Sequence, residues 1–252
     1  LGVGEHQRES GDHAQILQQS PAIATGIAAF GFLAVAAGLV LLYTYRYTFR
    51  VEAVLQSFEG VRPPIGASAD AGEVEEYRAS NTEAHLRSGR WGVILLHAGV
   101  FLFAAASVVT GGTEYWRSAD SLLAVLLTGE VWMKYLLVLA FAAGAAGIGM
   151  QFLHSGWGKE QFGAHPEAEQ MARSTGRTWA AAGLLAIPPF LLATTALLPP
   201  STASGGVYGL AGLGLLLFFL AAVFAYAFFV RGERRSAATA LFLFFSGIAA
   251  VT

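Results

Sequence analysis

Six apolar stretches dominate the sequence and restrict the folds that it can adopt. A bilayer core of about 30 Å is crossed by roughly 20 apolar residues in a helix. Five of the stretches reach that length, and the sixth is shorter. They lie at 21–45, 91–112, 131–153, 178–198, 207–230 and 236–252. We therefore predict an all-α integral membrane protein, built as one domain from a bundle of about six transmembrane helices.

The composition agrees with a membrane protein and excludes several functional classes. Charged residues make up 13% of the chain and hydrophobic residues 55%, whereas a soluble domain has about 25% charged residues. The net charge of −2 gives no basic field for nucleic acid. The absence of cysteine excludes disulfides, thiolate zinc sites, cysteine-ligated iron–sulfur clusters and covalent c-type haem. No nucleotide-binding or hydrolase motif occurs, which argues against an ATP-driven pump.

The basic residues predict the orientation, because cytoplasmic loops carry an excess of lysine and arginine. When the 15 basic residues are assigned to alternate sides, 12 fall on one side and three on the other. The 12 are Arg46, Arg50, Arg62, Arg78, Arg87, Arg90, Lys159, Arg173, Arg177, Arg231, Arg234 and Arg235, and the three are Arg8, Arg117 and Lys134. This split predicts that the N-terminus lies outside, and so does the C-terminal end of this sequence.

The segments outside the spans have their own patterns. Residues 1–20 form a polar tail, and residues 46–90 form a long cytoplasmic loop. Within that loop, apolar residues at helical spacing over 50–60 predict a short amphipathic helix, and the charge pattern of 73–90 predicts a second helix. The apolar segment 118–128 is too short to cross, so we expect an interfacial or re-entrant piece on the outer surface.

The two ends of the sequence suggest a longer natural protein. The sequence begins with Leu1 rather than Met, which fits a removed signal peptide or an unseen start. The sixth stretch stops at Thr252 without a polar flank. We therefore expect the natural protein to continue beyond residue 252.

Small residues and prolines within the spans predict how the helices pack. Glycines allow close helix–helix approach in lipid, and they predict a compact bundle without indicating a function. Pro188 and Pro189 predict a kink in the fourth helix. The glycines in question are Gly26, Gly31 and Gly38, then Gly144, Gly147 and Gly149, and finally Gly209, Gly212 and Gly214.

Two histidines in the spans fall at similar predicted depth. His97 is the seventh residue of its stretch, about 9 Å below the cytoplasmic surface at 1.5 Å per residue. His154 lies three residues before Trp157, about 5 Å deep if that tryptophan marks the interface. Two imidazoles on antiparallel neighbours suit the axial positions of a haem b. We expect Arg90 to bind a haem propionate.

Other residues near these histidines support the same hypothesis, and alternatives stay open. Ala98, Gly99 and Gly149 are small enough to admit a macrocycle, while Arg87 and Lys159 supply further positive charge. The two histidines are equally consistent with interfacial or structural roles. A substrate, quinone or proton-path role is a third interpretation.

Glu130 and Lys134 mark the outer start of the third span. Their i, i+4 spacing predicts an ion pair on one helix face, with Tyr115, Trp116 and Trp132 close in sequence. A carboxylate at this boundary can receive protons from a quinol. The alternative is an interfacial salt bridge within an aromatic belt.

The remaining four histidines show no metal-ligand spacing. His6 and His13 lie in the polar tail and are expected to be solvated. His85 and His165 lie in the predicted cytoplasmic segments, where they could reach His154 but lack a zinc-like pattern.

In the number of spans, the paired membrane histidines and the lack of soluble domains, the chain resembles the cytochrome b membrane anchors of respiratory oxidoreductases. The resemblance is one of layout and covers the second and third spans. It implies a haem-binding or quinone-facing subunit in the cell inner (plasma) membrane, with His97 and His154 as axial ligands. Its expected partners are other membrane and peripheral subunits of a redox complex, and the lipid bilayer.

Two other classes compete with this interpretation. A cofactor-free structural subunit that packs on a respiratory or photosynthetic complex agrees with the scarcity of titratable groups in the spans. A transporter requires polar groups near the midplane or broken helices. Only Pro188-Pro189 and Thr194-Thr195 meet that requirement.

Overall fold

A computed structural model describes residues 3–58, 71–111, 122–155, 166–200 and 202–252, with side chains over 22–52, 76–111, 123–153, 169–200 and 202–252. All regular secondary structure in these ranges is helical. The helices are α1 (Val3–Phe58), α2 (Ala71–Gly111), α3 (Leu122–Leu126), α4 (Gly129–Ser155), α5 (Pro166–Ala196), α6 (Gly205–Arg231) and α7 (Arg234–Val251).

Each of the six predicted spans corresponds to one long helix. Six segments are long and apolar enough to cross a membrane, while α3 has only five residues. The prediction of six spanning-length helices is therefore confirmed. The six segments are Ala22–Glu52, Glu76–Gly111, Gly129–Leu153, Glu169–Ala196, Gly205–Arg231 and Arg234–Val251.

The helices extend further beyond the predicted spans than the sequence suggested. The amphipathic helix predicted over 50–60 is the C-terminal end of α1 rather than a separate element, because no glycine or proline occurs between Gly38 and Gly60. The helix predicted over 73–90 is present as the first part of α2. Most of the predicted 46–90 loop is thus helical, and residues 59–70 lie outside the described ranges. The predicted polar tail of residues 1–20 is helical from Val3 onward and forms the N-terminal part of α1.

The chain forms two compact units, Leu1–Ser107 and Val108–Thr252. In the first unit, α1 and α2 pack antiparallel along a glycine seam. A Cβ atom on Gly38 would lie 3.0 Å from the carbonyl oxygen of Gly92, and one on Gly31 would lie 3.2 Å from that of Gly99. These pairs are seven residues apart on each helix, a spacing typical of left-handed helix pairs.

In the second unit, α4 and α5 make the closest helix–helix approach. A Cβ atom on Gly183 would lie 2.5 Å from the Cα of Gly144, and one on Gly147 would lie 2.5 Å from the Cα of Ala180. The helix backbones therefore touch directly, which confirms the close packing that the glycines predicted for α4. On the other side, the Phe244 ring of α7 packs against Gly144.

Aromatic residues fill the core of the second unit. The Phe218 ring of α6 lies 5.4 Å from that of Phe141 in α4 and 5.5 Å from that of Phe244, measured between centroids. Phe218 and Phe244 are almost completely buried. The rings hold α4, α6 and α7 together by apolar contact.

Two predicted irregularities have specific outcomes. Pro188 and Pro189 lie inside α5, which continues through them to Ala196. Each proline lacks an N–H, so the carbonyls four residues earlier lose their helical donors.

The outer segment predicted over 118–128 is described from Leu122 onward, and its helix α3 ends at Leu126.

Candidate functional site

His97 and Arg90 lie on one exposed face of α2. Both residues are exposed, and their separation of seven residues puts them on the same side of the helix, about 10 Å apart along its axis. The residues that contact α1, such as Gly92 and Gly99, lie on the opposite side. The face that carries His97 and Arg90 is therefore turned away from α1.

One part of the predicted haem environment is wrong. Gly99 was expected to make room beside His97, but it packs into the α1 seam, where a Cβ atom would lie 2.5 Å from Val35 Cγ2. Its smallness is thus explained by helix packing. Ala98 is exposed, and Gly149 has no atom within 4 Å of an added Cβ, so these two positions remain open.

His154 lies in the last turn of α4, and its side chain falls outside the described ranges. It belongs to the unit Val108–Thr252, whereas His97 belongs to Leu1–Ser107. Their pairing on one haem therefore stays a prediction.

Glu130 and Lys134 form the predicted ion pair on α4. Lys134 Nζ lies 2.9 Å from Glu130 Oε1, and the side chains are 24% and 4% exposed. Glu130 Oε2 is buried and accepts no hydrogen bond within the described residues. Neighbouring Val125 and Val131 are also fully buried. The arrangement is a charged carboxylate in an apolar setting with one of its two oxygens unsatisfied.

Trp132 lies on another face of α4 from this ion pair. It packs edge-on against Tyr135, with 6.0 Å between ring centroids, and its side chain is 42% exposed. Two residues correspond to about 200° around a helix. The tryptophan thus does not cover Glu130, and Tyr115 and Trp116 lie outside the described residues.

No family model, curated protein or solved structure matches this chain.

His85 has a defined environment that the sequence did not reveal. Its ring stacks on Tyr45 with 4.0 Å between centroids, and its Nδ1 lies 3.0 Å from Thr48 Oγ1. The Asn81 amide donates to the Thr48 carbonyl at 3.1 Å. This cluster extends the α1–α2 seam beyond the glycines. The heptad spacing of His85, Gly92 and Gly99 was the signal that could have predicted it.

The described side chains contain no group of three or more His, Asp or Glu that could hold a metal ion. The side chains of His6, His13 and His165 lie outside the described ranges. Since a bis-histidine haem needs only two protein ligands, this finding does not bear on the haem hypothesis.

Two further polar features were not anticipated from the sequence. Gln151 is 2% exposed, and its Nε2 donates to the Gly176 carbonyl at 3.4 Å, while its Oε1 is buried without a partner in the described ranges. Arg177 lies with its guanidinium carbon 5.5 Å from the Phe229 ring centroid. Both contacts join residues far apart in sequence, which periodicity alone does not predict.

Proposed function

We propose that this chain is a membrane-embedded b-type cytochrome, or quinone-facing electron-transfer subunit, of a respiratory-type oxidoreductase complex. The observation that carries the proposal is the shared exposed face of His97 and Arg90 on α2. An imidazole inside an apolar span is costly and is therefore a functional hypothesis by default. An arginine two turns away on the same face supplies the positive charge that a haem carboxylate needs.

The proposed ligands have distinct tasks. The imidazoles of His97 and His154 would hold the iron, and the Arg90 guanidinium would bind a propionate. When bound, haem b carries one electron at a time. Ala98 on α2 is exposed, and Gly149 on α4 has no atom within 4 Å of an added Cβ, so each position is compatible with a flat group beside its own helix. Gly99 serves the α1 seam instead.

The placement of the subunit is also proposed. The 12-to-3 division of basic residues supports an N-terminus outside and the 46–90 segment in the cytoplasm. We place the protein in the cell inner (plasma) membrane. Many large apolar side chains stay exposed, among them Phe30, Tyr43 and Phe219, and lipid or partner subunits of a redox complex would cover them.

Glu130 is proposed as the proton-accepting group for a quinol, with Lys134 as its counter-charge. The support is the burial of the carboxylate together with its unsatisfied Oε2. A quinol hydroxyl would supply the missing donor and then transfer its proton to that oxygen. A structural ion pair is the competing interpretation, and Glu130→Gln distinguishes the two. It slows quinol-dependent electron transfer if Glu130 accepts the proton, and it leaves that transfer unchanged if the pair is structural.

A cofactor-free structural subunit is the second candidate function. It is favoured by the direct backbone contact of Gly147 with Ala180 and by the glycine seam of α1 and α2. Such seams account for the small residues without any cofactor. This candidate predicts a stable complex that holds no pigment within this chain.

The haem content of purified variants tests the proposal. We expect His97→Ala and His154→Ala each to lose the low-spin haem while the protein remains folded, because six-coordinate iron needs both imidazoles. His85→Ala is the matched control, since that ring is held by Tyr45 and Thr48. A low-spin spectrum that persists in either test variant excludes the pairing.

A further inference from the structure

Four buried residues at intervals of seven line the side of α4 that faces α5. They are Glu130, Leu137, Gly144 and Gln151. Two of them have neighbours on α5, since a Cβ atom on Gly144 would lie 3.8 Å from Ile187 Cδ1, and Gln151 donates to the Gly176 carbonyl. Residues seven apart share one helix face, so Glu130 also lies on the side that faces α5.

The facing side of α5 carries a matching series at the same interval. Ala180, Ile187 and Thr194 are seven residues apart, and all three are buried. Ala180 packs against Gly147 of α4, and Thr194 continues the same helix face beyond Ile187. Thr194 therefore lies on the side of α5 that faces α4, towards the end of the helix pair where Glu130 lies.

The alignment of the two antiparallel helices puts Glu130 and Thr194 at similar height. Gly144 faces Gly183 across the contact. From that level, Glu130 lies 14 residues along α4 and Thr194 lies 11 residues along α5, a difference of about 5 Å at 1.5 Å per residue. This offset is less than one helical turn, so one polar group that bridges the two helices is within reach of both side chains.

Glu130 and Thr194 have complementary hydrogen-bonding capacity. Glu130 Oε2 is buried and accepts no hydrogen bond within the described residues. The Thr194 hydroxyl donates to the Leu191 carbonyl at 2.9 Å, and the Thr195 hydroxyl donates to the same carbonyl at 2.7 Å. The Thr194 hydroxyl can therefore turn towards a ligand while the Leu191 carbonyl keeps a side-chain donor.

The surroundings of this pair suit a ligand that dissolves in the bilayer. Glu130 is 4% exposed and Thr194 is 7% exposed, so both polar groups are shielded from water. Lys134, one turn along α4, is 24% exposed, and Leu197, less than one turn beyond Thr194, is 44% exposed. The shielded pair thus has a partly exposed edge next to two segments that are apolar enough to span a membrane.

We propose that Thr194 is a positioning residue for the quinol at Glu130, an inference that rests on the function proposed above. The Thr194 hydroxyl would donate to the ring oxygen whose proton passes to Glu130 Oε2. The same hydroxyl suits the carbonyl oxygen of the oxidised ring, whereas a carboxylate and a carbonyl are both acceptors and form no hydrogen bond with each other. Thr194 therefore gives the site affinity for the quinone as well as the quinol.

The test measures binding of decylubiquinone to the purified full-length protein in detergent by isothermal titration calorimetry. We expect Thr194→Val, which keeps the shape of the side chain, to weaken binding about fivefold, as for one neutral hydrogen bond. Thr194→Ala is a second variant with the same expected loss. Thr194→Ser keeps the hydroxyl and should bind as tightly as the wild-type protein.

Thr178→Val is the matched control on the same helix. The Thr178 hydroxyl donates to the Ser174 carbonyl at 3.1 Å, as Thr194 does to its own preceding turn, but Thr178 lies near the opposite end of α5 from Thr194. Its replacement should leave binding of decylubiquinone unchanged. Gel filtration and circular dichroism are required to show that every variant compared is monodisperse and helical.

The possible failures have different meanings. If the wild-type protein binds decylubiquinone and Thr194→Val binds it as tightly, the role of Thr194 is wrong while the quinol site stands. An equal loss in Thr178→Val, or no recovery in Thr194→Ser, would show a general loss of packing and would also overturn the role of Thr194. If the wild-type protein binds no decylubiquinone, the proposed quinol site at Glu130 fails together with this inference.

Discussion

Gly147 of α4 packs directly against the backbone of Ala180 in α5. A Cβ atom on Gly147 would lie 2.5 Å from Ala180 Cα and 2.7 Å from the Gly176 carbonyl oxygen. Backbone atoms cannot move aside as a flexible side chain can, so a methyl group here must separate the two helices. We predict that Gly147→Ala destabilises the protein by about 2 kcal/mol, as overpacking does in tight cores.

The same helix offers a matched control for that variant. Gly149 has no atom within 4 Å of an added Cβ, so Gly149→Ala should be neutral or stabilise by up to about 1 kcal/mol through helix propensity. Denaturation in mixed detergent micelles measures both variants. Equal effects of the two substitutions would contradict the observed α4–α5 contact.

The hydrogen bonds of Thr48 predict the tautomer of His85. Thr48 Oγ1 lies 2.8 Å from the Tyr45 carbonyl oxygen, which can only accept, so the hydroxyl proton is used there. Towards His85 Nδ1, at 3.0 Å, the hydroxyl then acts as acceptor. We predict that neutral His85 carries its proton on Nδ1, as ¹⁵N spectra of labelled histidine will show. Thr48→Val should remove this preference, and an Nε2-protonated ring in the wild-type protein would disprove the assignment.

The Glu130–Lys134 pair predicts an asymmetric response to mutation. Lys134→Met leaves a carboxylate that is 4% exposed without its cation, and we expect a loss of about 3 kcal/mol, as for other broken buried pairs. Glu130→Gln should cost less, because Lys134 is 24% exposed and can reach water. Arg87→Met is the control, because Arg87 and its partner Glu83 are both about two-thirds exposed. Removing that ion pair should lower the free energy of unfolding by less than about 1 kcal/mol. A cost for Lys134→Met no larger than for Arg87→Met would contradict this account.

The absence of cysteine makes the proposed orientation directly measurable. Thr202→Cys and Glu233→Cys each introduce a single thiol, one at each end of α6. Because the basic residues cluster at 231–235, we predict that an impermeant maleimide labels Thr202→Cys, but not Glu233→Cys, in right-side-out vesicles. The reverse labelling pattern would show that the N-terminus lies inside.

Hydropathy predicted the long helices well, because each span must satisfy its backbone within one apolar segment. It did not predict where the helices end outside the spans, because α1 continues to Phe58, beyond its apolar stretch. The Glu130–Lys134 pair was predictable because it is local to one helix. The contacts of His85 with Tyr45 and of Arg177 with Phe229 join different helices. They depend on how neighbouring helices are aligned, which composition does not reveal.

We propose that this chain holds one haem b. The most direct measurement is the dithionite-reduced minus oxidised absorption spectrum of the purified full-length protein, with pyridine extraction to identify and count the haem. We predict a low-spin b-type signal at about one haem per chain, as expected for two histidine ligands. A folded preparation, purified together with its partners and containing no haem in this chain, would contradict the claim and favour the cofactor-free subunit.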